Sequence, residues 1–293
     1  MKKIRKAVFP VAGLGTRMLP AAKTVAKEML TVVDRPLIHY VLAEARAAGI
    51  EHFVLVTGRG KTAMEDYFDH HVELEATLKA KNKTALLDEL IADLPKEGEI
   101  SYVRQMEPKG LGHAVWCARE LIGHEPFALL LPDVLVQHER GCLAQMMDAL
   151  RELPGQANIV AVEEVPPERI DQYGVVGVGD RKGKMFVITS MVEKPPADRA
   201  PSNLILTGRY ILQPEILDLL GKQERGAGGE IQLTDAMIQL ARTQPFYGLQ
   251  FDGRSFDCGS KIGFLAANVS YALARDDIAP GFRAEIKKIL GAS

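Results

Sequence analysis

The run Phe-Ala-Leu-Leu-Leu at positions 127–131 carries no polar side chain, and Pro132 and Asp133 follow it at once. A short strand that is apolar on both faces needs cover on both faces, which places it at the centre of a sheet sandwiched by helices. The rest of the chain agrees, because strand-like and helix-like patterns alternate along it. Residues 7–12 form a short apolar run that ends in glycine, a buried first strand. Residues 36–48 read as a helix with proline at its start, Leu37, Tyr40, Val41 and Ala45 near helical spacing, and Gly49 to stop it. Strands are expected at 52–57 and 100–105, one long helix at 72–94 ended by Pro95, and a helix at 114–121 ending by Gly123.

The second half changes character. Residues 158–162 and 204–212 read as strands. Residues 175–178 and 185–188 flank Asp-Arg-Lys-Gly, a hairpin with Gly183 in its turn. A helix is expected at 214–220, a glycine-rich surface loop at 224–229, and amphipathic helices at 262–274 and 282–290. No long linker or internal repeat interrupts the 293 residues. The chain reads as one domain (1–293) with two lobes, one over about 1–155 and one over about 156–293.

Composition narrows the function. Apolar residues are 47% and charged residues 25%, an ordinary globular balance. The 36 basic and 38 acidic side chains leave a net charge of −2, so no general basic excess exists to hold nucleic acid or an anionic membrane. Any phosphate chemistry must rest on local cations. The three cysteines, Cys117, Cys142 and Cys258, are too few and too far apart for a zinc site and fit buried thiols in a reducing compartment. The basic start MKKIRK leads into a short apolar run and then Gly13, Gly15 and Arg17 instead of a cleavage site. No stretch approaches ~18 uninterrupted apolar residues. Both readings favour the cytoplasm and no membrane partner.

The motif that carries chemistry is VAGLGTRM at 11–18, directly after the first strand. Gly13 and Gly15 let backbone approach a phosphate, and successive N–H groups can cradle an anion. A dinucleotide fingerprint fails because Met18 stands where its third glycine should be, and no GK[ST] follows for a P-loop. Gly-x-Gly-Thr16-Arg17 remains, with an arginine able to grip phosphate through two parallel donors. Read alone, the glycines fit a plain strand-to-helix turn equally well. Lys23 and Lys27 follow, and Lys27, ten residues past Arg17, is placed to reach a nucleotide's phosphates. Asp133 lies just beyond the apolar strand, where ligands of open α/β sheets gather. One carboxylate there, with phosphate oxygens and waters, makes a typical Mg²⁺ site.

The combination resembles the sugar-1-phosphate nucleotidylyltransferases, in particular their uridylyl-transferring branch. The resemblance runs through GLGTR, KEML at 27–30, VRQMEPKGLGHA at 103–114, LPDV at 131–134, YGVV at 173–176, VEKP at 192–195, GRY at 208–210, EIQLTD at 230–235 and FDCG at 256–259. It implies a Rossmann-like α/β fold, with a mixed, mostly parallel central sheet flanked by helices and a smaller sugar-binding lobe. It implies transfer of the uridylyl group of UTP to glucose 1-phosphate, giving UDP-glucose and pyrophosphate, with Mg²⁺ and a homo-oligomer, a tetramer. By position, Ala12, Gly13, Gly15 and Thr16 would lie against the nucleotide, and Gln105 and Gly110 against the uracil edge. Arg17, Lys27 and Lys194 would be the catalytic cations. Gly174, Glu193, Lys194 and Gly208 would receive the sugar phosphate. Asp133 would hold the metal, with Asp257 a second ligand or a supporting carboxylate. Thr234 and Asp235 also suit a helix N-terminus. Ala26 and Thr31 stand where the family usually has prolines, which loosens that loop without removing a reacting group. Lys109 replaces a commoner apolar residue beside the uracil segment. His113 reads as a helix-entry residue and not a general base. Two rivals share these features: a thymidylyltransferase, and a non-catalytic UDP-glucose-binding regulatory homologue.

Overall fold

The computed structural model describes residues 3–224, 226 and 229–291. Its first half contains β1 (Lys6–Pro10), β2 (Thr31–Val32), β3 (Arg35–Pro36), α1 (Leu37–Ala47), β4 (His52–Thr57), α2 (Thr62–Tyr67), α3 (Val72–Ala80), α4 (Thr84–Ala92) and β5 (Ile100–Arg104). Next come α5 (Leu111–Cys117), α6 (Arg119–Ile122), β6 (Phe127–Leu130), β7 (Val134–Gln137) and α7 (Cys142–Arg151). The remainder is β8 (Asn158–Glu164), β9 (Gly174–Lys182), β10 (Met185–Glu193), β11 (Leu204–Leu212), α8 (Glu215–Lys222), α9 (Leu233–Leu240), β12 (Phe246–Gln250), β13 (Arg254–Asp257), α10 (Lys261–Leu273) and α11 (Ala279–Leu290).

One nine-stranded sheet runs in the order β5-β4-β1-β6-β11-β8-β12-β10-β9. The strands β5, β4, β1 and β6 are parallel, as is the pair β8 and β12. Strand β11 is antiparallel to both β6 and β8, and β10 is antiparallel to β12 and β9. The parallel character therefore concentrates in the first half, where helices carry the chain back between strands. In the second half β9 and β10 are joined by a tight turn at Gly183, φ +63°, and such a hairpin can only be antiparallel.

The apolar strands are buried on both faces, as their sequences require. Ala128 and Leu130 of β6 pack with α1 and α7, whereas Phe127 and Leu129 pack with α5, α6, α8 and α9. Strand β4 divides the same way, with Phe53 and Leu55 on one side and Val54 and Val56 on the other. Burying one such side chain contributes roughly 1.5–3 kcal/mol, so these alternating strands fix the register.

Two helical expectations need correction. The stretch 72–94 is two helices, because Asn82 adopts φ +54° between them, a left-handed turn that asparagine tolerates better than most residues. The helix expected at 114–121 begins earlier, at Leu111, and breaks at Ala118. The glycine-rich loop at 224–229 falls partly on Arg225, Ala227 and Gly228, which lie outside the described residues. Among the described residues no helix is long and apolar enough to cross a membrane, and the three cysteines are free.

Candidate active site

The carboxyl ends of β1 and β6 face the same edge of the sheet, and the loops that leave them build one cluster. After β1 the glycine loop turns at Gly15, φ +67°, and closes over Lys27. A Cβ on Gly15 would sit 3.2 Å from Lys27 Cβ, and one on Gly13 would sit 3.9 Å from Lys27 Cε. Gly15 thus lets backbone lie directly on the lysine, whereas Gly13 makes only ordinary contact with it. Ala12 is covered from the other side by Gly58, whose missing Cβ would stand 3.2 Å from the Ala12 carbonyl oxygen. Residues Gly15, Thr16, Arg17, Met18, Lys27 and Gly259 line a cavity of about 160 Å³.

Asp133 leaves the end of β6. Its Oδ2 accepts a hydrogen bond from Lys27 Nζ at 2.6 Å and lies 3.7 Å from Arg17 Nη2. Asp257 arrives by a separate device: β13 pairs with β7 so that Asp257 is directly opposite Val134, and the Cys258 N–H donates to the Asp133 carbonyl at 2.7 Å. Arg17 Nη1 is 3.6 Å from Asp257 Oδ2, so this one guanidinium spans both carboxylates. The Gly259 N–H donates to Asp257 Oδ1, and a Cβ at Gly259 would run into the Arg17 guanidinium.

The charges interlock. Burial disfavours the Lys27 ammonium, but Asp133 and Glu28 outweigh it and raise its pKa. Burial likewise opposes the Asp133 carboxylate, and Lys27 and then Arg17 overcome it, so its pKa lies below the usual value. The Asp257 carboxyl goes the other way: burial and the charge of Asp133 push it up against the pull of Arg17. Two carboxylates, one of them strained by the other, are a donor set that gains from a divalent cation. Among the described residues no group of three or more His, Cys, Asp or Glu side chains could hold a metal. One or two carboxylates completed by phosphate oxygens and water suit Mg²⁺ in particular.

The residues expected to receive the sugar phosphate converge separately. Gly174 of β9 is paired with Glu193 of β10, and a Cβ at Gly174 would lie 3.2 Å from Glu193 Oε2. The Thr234 hydroxyl, in the first turn of α9, donates to the same Oε2 at 2.6 Å. Lys194 follows at φ +46°, its Nζ 3.9 Å from Glu193 Oε1 and its N–H bonded to the Tyr173 carbonyl. Tyr210 is buried, and burial first, then the charge of Glu193 against the pull of Arg209, push its phenol pKa up.

Three other expected site residues have close protein neighbours. Gly208, φ +67°, faces Leu131, whose Cβ would be 3.1 Å from an added Cβ, so its small size serves the turn before Asp133. Gly110, φ +100°, presses on Glu230 and Ile231, where an added Cβ would meet Glu230 Cβ at 2.7 Å, and its carbonyl accepts from Gln105 Nε2 at 3.0 Å. Gln105 also contacts His113 Nδ1 at 3.0 Å, a partner that sequence reading did not assign. Lys109 is paired with Glu107 at 2.8 Å. The buried pair Lys61 and Glu28, 2.8 Å apart, was not legible either; it anchors the turn that carries Lys27. A larger cavity of about 530 Å³ between α1 and α4 is lined by Leu74, Leu86 and Leu90, but its arginine, Arg35, is already paired with Asp93 and Glu89.

A glycine loop, two cations and two carboxylates at the strand ends of an α/β sheet define a protein that handles nucleotide phosphates. The chain belongs to the nucleotidyl transferase family, whose model matches residues 6–273. It is 47% identical over 284 residues to the UTP–glucose-1-phosphate uridylyltransferase of Bacillus subtilis strain 168, covering 96% of both chains. It is 51% identical over 262 residues to the enzyme of that name from Komagataeibacter xylinus, covering 89% of this chain and 92% of the relative. The structure of a UTP-bound UGPase from Acinetobacter baumannii superimposes with a TM-score of 0.89 at 44% identity, covering 97% of this chain and 99% of that one.

Proposed function

We propose that this protein transfers the uridylyl group of UTP to glucose 1-phosphate, giving UDP-glucose and pyrophosphate. The observation that carries it is the joint presence of Arg17, Lys27, Asp133 and Asp257 in one cluster and of Glu193 and Lys194 in a second, in a chain that matches a uridylyltransferase over 96% of its length.

The phosphate of glucose 1-phosphate is already an anion at neutral pH, so it needs no general base. One of its oxygens attacks the α-phosphorus of UTP in line, the bond to the bridging oxygen breaks, and pyrophosphate leaves with the electron pair. Catalysis is then positioning and charge stabilisation. Arg17 and Lys27 receive the departing β and γ phosphates, and Gly13, Gly15 and Thr16 offer the backbone around them. Gln105 reads the uracil edge from a position set by Gly110, while Ala12 lies against the nucleoside. Glu193, oriented by Thr234, accepts from glucose hydroxyls, Gly174 leaves room for the sugar, and Lys194 meets the attacking phosphate. Asp133, supported by Asp257, is the residue to hold Mg²⁺, which when bound neutralises phosphate charge. Arg17 and Lys27, which pair with those carboxylates in the free protein, would share them with the ion and keep donors for the triphosphate. The same reading includes one domain of two lobes, a homo-oligomer of four chains and a cytoplasmic location.

The test is pyrophosphate release from the purified protein with glucose 1-phosphate and Mg²⁺, comparing UTP with dTTP and adding EDTA. Fast release with UTP that EDTA abolishes is the expected result. Faster release with dTTP moves the assignment to thymidylyl transfer, and binding of UDP-glucose with no release for any nucleotide makes the protein a regulatory homologue.

A further inference from the structure

The mechanism leaves one fully buried cation unused. Arg209 of β11 has no exposed surface. Its Nε and Nη2 are held by the Glu44 carboxylate of α1 at 2.8–3.2 Å. The remaining donors go to backbone. Nη1 donates to the Leu131 carbonyl at 3.1 Å and Nη2 to the Val134 carbonyl at 2.8 Å. Those two residues bracket Pro132 and Asp133, so one rigid fork fixes both ends of the turn from which the Asp133 carboxylate projects. Glu44 is fixed in turn, because it also accepts the Leu143 N–H in the first turn of α7 at 3.0 Å. Gly208 adds to the fit, since its φ of +67° suits glycine and an added Cβ would crowd Leu131 at 3.1 Å.

We infer that Arg209, clamped by Glu44, is a positioning residue that sets the direction of the Asp133 carboxylate toward the divalent cation; this rests on the reading of Asp133 as the metal ligand. A buried ion pair is often replaceable by apolar side chains without loss of stability, so stability alone does not account for a guanidinium placed here. Donors aimed at both carbonyls flanking one functional carboxylate do account for it. Groups that orient a metal ligand from behind commonly matter 10- to 100-fold for metal affinity.

The experiment is a Mn²⁺ titration followed by the electron paramagnetic resonance of free Mn²⁺, in saturating UDP-glucose, alongside steady-state kinetics and melting temperature. Arg209→Lys keeps the charge but loses the fork. It is expected to weaken Mn²⁺ binding roughly 10- to 100-fold and to lower kcat, with KM for UTP and glucose 1-phosphate changing far less. Glu44→Gln, which keeps volume and one acceptor, should shift Mn²⁺ binding in the same direction by less. It serves as the second arm if Arg209→Lys does not fold. Phe246→Leu, in the opposite core, is the control for lost stability: at a comparable fall in Tm it should keep wild-type Mn²⁺ affinity. Asp133→Asn separates the two ideas. If it loses Mn²⁺ while Arg209→Lys and Glu44→Gln bind as the wild type does, the positioning role is overturned and the metal site stands. If Asp133→Asn keeps Mn²⁺, the metal reading fails and the role of Arg209 falls with it.

Discussion

Lys27 and Lys194 are both lysines beside a carboxylate, and the chain holds them in opposite ways. Lys27 is enclosed by the glycine loop, its side chain 19% exposed, and hydrogen-bonded to Asp133 before any substrate arrives. Lys194 is 58% exposed and only 3.9 Å from Glu193, but its backbone is bent to φ +46°. A non-glycine residue in that region costs about 1–3 kcal/mol and persists only where its surroundings impose it. At the nucleotide end the charge is fixed and the backbone relaxed. At the sugar end the backbone is fixed and the charge free to swing. The lesson is that preorganisation has two forms here, electrostatic at Lys27, proposed to meet the β and γ phosphates, and conformational at Lys194, proposed to meet the sugar phosphate.

The largest test of this contrast is Lys27→Ala. Removing a preorganised cation should lower kcat about 10²- to 10³-fold in the pyrophosphate-release assay, with stability also reduced because Asp133 loses its nearest partner. Near-normal turnover would end the comparison. Next is Lys194→Ala, expected to cost about 10²-fold. Its companion Lys194→Gly should lose the same activity yet be more stable than Lys194→Ala by about 1 kcal/mol, because glycine accepts the positive φ. Equal denaturant midpoints for the two would remove the conformational half of the contrast. Thr234→Val deletes one hydrogen bond to Glu193, worth about 1 kcal/mol, and should raise KM for glucose 1-phosphate about fivefold with kcat nearly kept.

The smallest effect is a pH signature. Asp133, with its folded pKa depressed, contributes stability above its unfolded value of about 3.9, and that contribution is lost as pH falls through the lower folded value. Asp257 has the opposite sign: its folded pKa is raised, so its charged form is a small penalty at neutral pH that disappears as pH falls through the folded and then the unfolded value. Asp257→Asn should therefore melt slightly above the wild type at pH 7, since the exposed Arg17 partner it gives up contributes little, and the gain should vanish near pH ~3.5. Melting curves across that range decide it. A lower Tm at pH 7 would mean that Arg17 matters more to Asp257 than burial does.

Much of the candidate cluster around Asp133 was legible because its parts are local. GLGTR, KEML and the Asp after FALLL are each a few residues long, and the first and last follow a strand whose apolar run is unmistakable. The alternating burial of β4 and β6 was written in their composition. What escaped is long-range. Nothing near Arg209 announces Glu44, nor does anything near Lys61 announce Glu28, because these partners meet only after the helices have packed on the sheet. Thr234 read as a helix start, which it is, while its bond to Glu193 depends on α9 docking against β10. The division of 72–94 into two helices turned on a single left-handed asparagine, a choice that helical periodicity does not record.

The β7 and β13 ribbon has a consequence for the making of the protein. It borrows Asp257 from near the end of the chain to complete a site begun by the first strand. A chain still on the ribosome thus exposes its phosphate loop, then its turn with Asp133, and only last the second carboxylate. Domains acquire native contacts as synthesis proceeds, so Arg17, Lys27 and Asp133 are all made before the carboxylate that Arg17 also pairs with.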